Sequence, residues 1–220
     1  MAQTDERYYA TYSRLDTTNE DLSCKVNADA ISVGMEVNFT PETYFNDREK
    51  EVSRGIVTNL VDDPIGYLPA NCARRFCDLA QDGWTVRVAV SAVGFQEATK
   101  SFWAEVAIFA YEPQYADALG AFVQGCMDRL VKGERPDIRL GDKNIDAALQ
   151  DKKYYTTVRS VGHPSLPKGN VYYKKERTQS ENLIMSAAER KPGCIVGTVV
   201  FYVVAIAVIG AFVYFTFLRS

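Results

Sequence analysis

The run Trp84-Thr85-Val86-Arg87-Val88-Ala89-Val90-Ser91-Ala92 places Trp84, Val86, Val88, Val90 and Ala92 at every second position. A period of two is the spacing of a β-strand, whose successive side chains point to opposite faces. After a turn containing Gly94, the segment from Phe102 to Tyr111 is apolar enough to be a second long strand. Two adjacent strands of this length need further strands to cover their edges. Upstream of them, Val33, Met35, Val37 and Phe39 alternate with Gly34, Glu36 and Asn38, and Pro41 is expected to end that strand. A loop, TPETYFNDREKE, is expected over residues 40–51. Ile56, Thr58 and Leu60 then alternate with their neighbours, and Asp62-Asp63-Pro64 supplies a turn before the short run Ile65-Gly66-Tyr67-Leu68.

Between these strands and Trp84 the period changes. Pro69 suits a first helical turn, where a missing N–H costs nothing, and Ala73, Phe76, Cys77 and Ala80 make an apolar stripe that runs to Gly83. Arg74 and Arg75 fall on the exposed side. Residues 31–112 therefore read as strand, strand, strand, helix, strand, strand. The expected fold class is α+β: a small curved five-stranded sheet, or partly closed β-barrel, with one inserted helix. Residues 1–30 are polar and read as a flexible arm.

Beyond Pro113 the pattern becomes helical. Ala118, Leu119, Phe122, Cys126 and Leu130 recur at helical spacing, with Gly133 as a C-terminal cap, and a second short helix holds Ile145, Ala148 and Leu149. Residues 154–173, with their tyrosine pairs, Pro164, Pro167 and Gly169, read as irregular or extended. Thr178-Gln179-Ser180-Glu181 matches a capping box, and Lys191-Pro192-Gly193 breaks the helix that it starts. Residues 113–193 thus form a helical and basic juxtamembrane segment.

It is juxtamembrane because Ile195 to Leu218 is a run of 24 residues without a charge. At about 1.5 Å per residue such a helix exceeds the ~30 Å hydrocarbon core of a bilayer. Residues 194–218 are therefore expected to be a C-terminal transmembrane helix. The beginning, MAQTDERYYATYSRLDTTNED, has no apolar stretch of signal-peptide length, which predicts a tail-anchored, single-pass chain. Lys174, Lys175, Arg177, Arg190 and Lys191 precede the span and only Arg219 follows it, so the N-terminal part is expected in the cytoplasm. Charge is uneven along the chain: residues 31–112 hold 7 basic and 12 acidic side chains, residues 113–193 hold 14 and 10. Basic charge beside the span suits either a solvated linker or an anionic leaflet.

Five cysteines, Cys24, Cys72, Cys77, Cys126 and Cys194, form no C-x-x-C pair, so reduced thiols are expected and neither a disulfide framework nor a metal site. Cys194, next to the span, is either a free thiol or a site of S-acylation. His163 is the single histidine, in a loop-like stretch between Gly162 and Pro164, with no nucleophile nearby in sequence. Phosphate-binding glycine loops and H-E-x-x-H are absent from the sequence. No cofactor and no enzymatic activity are expected, and a hydrolase built around His163 is a remote alternative.

One stretch carries a family likeness. Val33-Gly34-Met35-Glu36-Val37-Asn38-Phe39, then Pro41-Glu42, Asn46-Asp47, Gly55-Ile56-Val57-Thr58, the motif Ile65-Gly66-Tyr67-Leu68-Pro69, an Ala-containing helix, Asp82-Gly83 and the strand from Trp84 together resemble a HIRAN domain. The resemblance covers about residues 31–111 and implies a small β-barrel with helical elements, a fold some of whose members bind the 3′ ends of single-stranded DNA. In it, Asn46 and Asp47 would occupy the binding loop, with Tyr44 or Phe45 able to stack on a base, and Arg74 and Arg75 join them as candidates if the chain binds nucleic acid. Gly66, Tyr67 and Pro69 would be structural, the glycine letting strand and helix approach closely. The loop departs from the family pattern through the charged insert Arg48 to Glu51, and the negative balance of residues 31–112 opposes phosphate binding. The function expected is a binding or scaffolding module shown to the cytosol by a membrane anchor, with an unidentified protein partner. The alternative is binding of single-stranded nucleic-acid 3′ ends at a membrane surface.

Overall fold

The computed structural model describes residues 7–17, 26, 28, 31–45, 51–178 and 181. Seven strands and three α-helices occur among them: β1 Tyr8–Arg14, β2 Glu36–Phe45, β3 Glu51–Thr58, β4 Pro64–Tyr67, α1 Ala70–Gln81, β5 Thr85–Gln96, β6 Ser101–Tyr111, α2 Ala116–Val131, α3 Asp142–Gln150 and β7 Asn170–Lys174. The fold is α+β, a curled antiparallel half-barrel with a few helices. Strand order is β1-β6-β5-β2-β3-β4, and β7 adds to the far half of β5. The ends of the curl meet where the Asp16 and Tyr67 backbones exchange two hydrogen bonds of 2.8 Å.

The strand, strand, strand, helix, strand, strand order expected for residues 31–112 is present as β2, β3, β4, α1, β5 and β6. These are the five strands expected of that stretch, but the sheet has seven, because β1 and β7 come from outside it. The flexible arm expected over residues 1–30 is corrected at Tyr8–Arg14, which pairs along its whole length with β6, Tyr8 opposite Tyr111 and Arg14 opposite Glu105. Tyr8 and Ala10 are buried, and the Tyr8 hydroxyl donates to the Ile138 carbonyl at 2.8 Å. The stretch expected to be irregular or extended over residues 154–173 runs into β7, Asn170–Lys174.

Pro41 does not end its strand. It stands opposite Gly55 in a β2–β3 ribbon that continues to Phe45 opposite Glu51. Beyond Val37, β2 has left β5, so Pro41 lies where β3 is its ladder partner and the lost N–H faces no strand among the described residues. Much of the expected loop is thus a projecting arm, fastened by the cross-strand pair Arg54–Glu42 at 2.9 Å.

The core has two parts because β5 and β6 are covered on both faces, Val88–Gly94 and Trp103–Tyr111 being buried throughout. On one face, Tyr8, Ala10, Ala89, Ala107 and Phe109 pack against Leu119, Phe122, Cys126 and Leu130 of α2 and Ile145 and Ala148 of α3. On the other, α1 buries Ala73, Phe76, Cys77 and Leu79, and Phe76 meets Tyr9 with ring centroids 5.2 Å apart. Gly66 has φ +154, and a Cβ there would lie 2.8 Å from Leu15 Cβ and 3.1 Å from the Asp16 carbonyl. The close approach that it permits is therefore to the segment after β1, not to the helix as expected.

The capping box is formed: the Thr178 N–H donates to Glu181 Oε2 at 2.9 Å and the Glu181 N–H to Thr178 Oγ1 at 3.3 Å. Among the described residues, no helix is long and apolar enough to cross a membrane. The expected span, Ile195–Leu218, lies outside them.

Candidate binding groove

Helix α1 presents Ala70, Arg74, Asp78 and Gln81 on one face, the positions that three to four residues per turn bring into line. Facing them are Thr43 of β2 and Val52 and Ser53 of β3, with Thr43 and Ser53 directly opposite each other in the ribbon. Between helix and ribbon lies an open groove of about 440 Å³. Its lining is two hydroxyls, an amide, one guanidinium and one carboxylate, with the apolar side chains of Val52 and Ala70 among them. Such a surface forms hydrogen bonds of both senses and carries little net charge. Helix α1 starts at the groove with Pro69 as its flanking residue, which offers no side-chain cap, while the Cys72 N–H in the first turn donates to Asn71 Oδ1 at 3.0 Å.

Of the residues expected to bind nucleic acid, Arg74 is in this groove. Tyr44 and Phe45 are the last two residues of β2, one and two positions past Thr43, with backbones opposite Val52 and Glu51. Asn46 and Asp47 lie outside the described residues. Arg75 is not with Arg74: one residue turns the helix by about 100°, and its guanidinium sits 5.7 Å from the ring centroid of Tyr9. Arg75 Nε is buried there with no hydrogen-bond partner among the described residues. Thr43, Ser53 and Gln81 were not legible as site residues, because the expected loop hid the ribbon that carries two of them.

A second polar cluster fastens residues 132–177 to the sheet. A β-bulge between Val90 and Ala92 leaves Ser91 without a cross-strand partner, and its hydroxyl donates to Glu105 Oε1 at 2.7 Å. Arg135 donates to the same carboxylate at 3.1 and 3.3 Å and stacks 3.7 Å from the Tyr12 ring centroid. The pair is buried, with side chains 10% and 8% exposed. Next to it, the Arg14 guanidinium lies 4.3 Å over Trp103, whose ring fills the space that a side chain at Gly94 would take. Trp103 meets Tyr172 at 5.6 Å and Tyr172 meets His163 at 5.0 Å. A smaller cavity of about 210 Å³ beside Arg135 is lined by Thr11, Tyr12, Asp137, Arg139 and Val161. Asp137 in it already pairs with Arg159 at 3.3 Å and Arg139 at 3.6 Å.

Burial sets the protonation of the Cys72 and Cys126 thiols and of His163. Burial pushes Cys72 up to about 11 and Cys126 up to about 12, so at neutral pH both are thiols rather than nucleophilic thiolates. Burial lowers His163 from its usual range, Glu105 opposing the shift and Arg135 and Lys175 adding to it. Its ring packs on Tyr172 and its Nδ1 is buried without a partner among the described residues. No three His, Cys, Asp or Glu side chains among the described residues converge as metal ligands. Compared with known proteins, the chain matches no family model, no curated protein and no solved structure.

Proposed function

We propose that this chain is a binding module of the HIRAN kind, a partly closed β-barrel held at a membrane by its C-terminal apolar segment and working as a scaffold rather than an enzyme. The groove between α1 and the β2–β3 ribbon carries the binding half of this reading. It is open, polar and nearly neutral, which suits a protein segment offering backbone donors and acceptors. The anchoring half rests on the 24 uncharged residues Ile195 to Leu218 and the basic residues before them. The order of β2 to β6 around α1 supports the family resemblance, as does Ile65-Gly66-Tyr67-Leu68-Pro69 at the junction of β4 and α1.

A second reading, capture of a single-stranded 3′ end, is favoured by one observation: Arg74 and Thr43 face the same groove, and Thr43 is followed in sequence by Tyr44 and Phe45. Titration of the full chain in detergent with labelled oligonucleotides, one with a free 3′ end and one blocked, separates the two. The scaffold reading expects no preference and no affinity beyond the roughly 10⁻⁴–10⁻⁶ M of non-specific binding. A preference for the free end, lost in Arg74→Ala and in Tyr44→Ala, would replace it with the nucleic-acid reading. Resistance of the full chain to alkaline extraction from membranes tests the anchor, and ready extraction would remove it.

A further inference from the structure

The β5–β6 hairpin runs past the curled part of the sheet, and β7 joins it there, Phe95 opposite both Phe102 and Val171. On one face of this extension Phe95 and Phe102 meet at 5.2 Å, and Phe102 meets Tyr173 at 5.1 Å. Val171 and Tyr173 are 47% and 54% exposed. An apolar and aromatic patch thus lies open at this end of the sheet. The turns around it are basic. The segments Phe95–Phe102 and Pro167–Lys175 offer Lys100, Lys168 and Lys175 against one carboxylate, Glu97, the ammonium of Lys174 being held by the Ala28 carbonyl at 2.7 Å. The turns belong together, since the Glu97 N–H donates to the Gly169 carbonyl at 2.9 Å.

We infer that this tip docks on an anionic lipid surface, Phe102, Val171 and Tyr173 entering the headgroup layer and Lys100, Lys168 and Lys175 facing its phosphates. Tyrosine and phenylalanine beside lysine suit that layer, where a ring has an apolar body to bury and an ammonium on a flexible stem meets anionic headgroups. The charge is local: residues 31–112 as a whole are acidic. Another exposed apolar pair, Leu60 and Val61, adjoins Asp62 and Asp63, which an anionic leaflet repels. That contrast selects the tip.

The chain's own continuity supplies the occupant. Twenty residues, Lys175 to Cys194, separate the end of β7 from the uncharged run that begins at Ile195. Even fully extended, that tether reaches no more than roughly 70 Å. A tether of bounded reach makes docking on the same bilayer an intramolecular event, so a patch of few side chains is enough to stay docked. The inference rests on the anchoring reading above, and its test is built so that the two fail separately.

The full chain is reconstituted into vesicles of phosphatidylcholine alone and of phosphatidylcholine with phosphatidylserine, and amide hydrogen exchange is followed. On the anionic vesicles the amides of residues 97–102 and 168–175 should exchange about tenfold more slowly than on the neutral ones. Phe102→Ser combined with Tyr173→Ser should abolish the difference, while Leu60→Ser combined with Val61→Ser should preserve it. Unchanged protection of residues 86–92 shows that each variant is folded. Equal exchange on both lipids, with the chain still resistant to alkaline washing, overturns the docking surface and leaves the anchor. Slowing that follows protein density instead of lipid charge also overturns it, since the occupant is then a second copy. If washing removes the chain, the anchor reading falls, and the same exchange comparison with the chain added to excess vesicles decides the patch alone.

Discussion

At Gly66 a single missing carbon lets β4 cross the segment after β1, and the backbone bridge between Asp16 and Tyr67 follows one residue later. Gly66→Val should cost about 2–3 kcal/mol, because Leu15 and the Asp16 carbonyl must move before a branched side chain fits. Arg74→Ala, on the exposed side of α1, should change stability by no more than about 0.5 kcal/mol. Chemical denaturation of both variants checks the pair, and equal midpoints would remove the role given to Gly66. His163 supplies a pH dependence. Its folded-state pKa lies below its usual value, so between the two values the unfolded chain binds more protons and stability falls as pH falls. Stability should decline from neutrality through pH ~6.5 and level off below the folded-state value. In His163→Gln that part of the slope should vanish from melting curves collected across the same range, and an unaltered slope would assign it to other groups.

At the scale of elements, the Glu105–Arg135 pair joins the middle of β6 to the connection that follows α2. Glu105→Ala leaves Arg135 buried against Tyr12 with its main counter-charge gone, for an expected cost of about 3–5 kcal/mol. Replacing both by apolar residues of similar volume should recover most of that loss. A double-mutant cycle read by denaturant unfolding checks this, and additive effects would show that the two are not coupled. The same elements show what the sequence could and could not reveal. β5 and α1 were legible because Val86, Val88 and Val90 alternate and Ala73, Phe76 and Cys77 keep helical spacing. β1 carried an alternation too, Tyr8, Ala10 and Tyr12 against Tyr9, Thr11 and Ser13, but tyrosine on both faces masked it. β7 has only five residues beside Pro167 and Gly169, too short for its alternation to separate a strand from an irregular or extended stretch. The ribbon beyond Pro41 was hidden by the rule that proline ends strands, a rule that does not hold where one side of the strand has no ladder. Of the candidate site, the helix face with Arg74 was legible from its period. The opposing Thr43 and Ser53 were not, and nothing in the spacing of Arg14, Glu105, Arg135, His163 and Tyr172 says that they meet.

Across the whole molecule, the order β1-β6-β5-β2-β3-β4 places the first strand in the chain against the penultimate one, so the sheet depends on a pairing between distant parts of the sequence. β1 contributes more than an edge. Its Tyr8 lies in the cluster with α2 and α3, its Tyr9 packs on Phe76 of α1, and Leu15 and Asp16 just after it meet β4. One short segment therefore touches both halves of the core and the closing point of the curl. Burial of Tyr8 and Leu15 alone contributes on the order of 3–6 kcal/mol, and all of the ladder with β6 comes in addition. A domain of this size has a total stability of about 5–15 kcal/mol. Deleting residues 1–16 should accordingly remove the cooperative unfolding transition, raise the binding of hydrophobic dyes and speed amide exchange along β6, Val106 to Tyr111 included. A flexible arm would behave otherwise: its loss would leave the melting midpoint and the exchange of β6 where they were. Differential scanning calorimetry on the full chain and the deletion distinguishes the two, and a midpoint preserved within a few degrees would return residues 8–14 to the status of an arm.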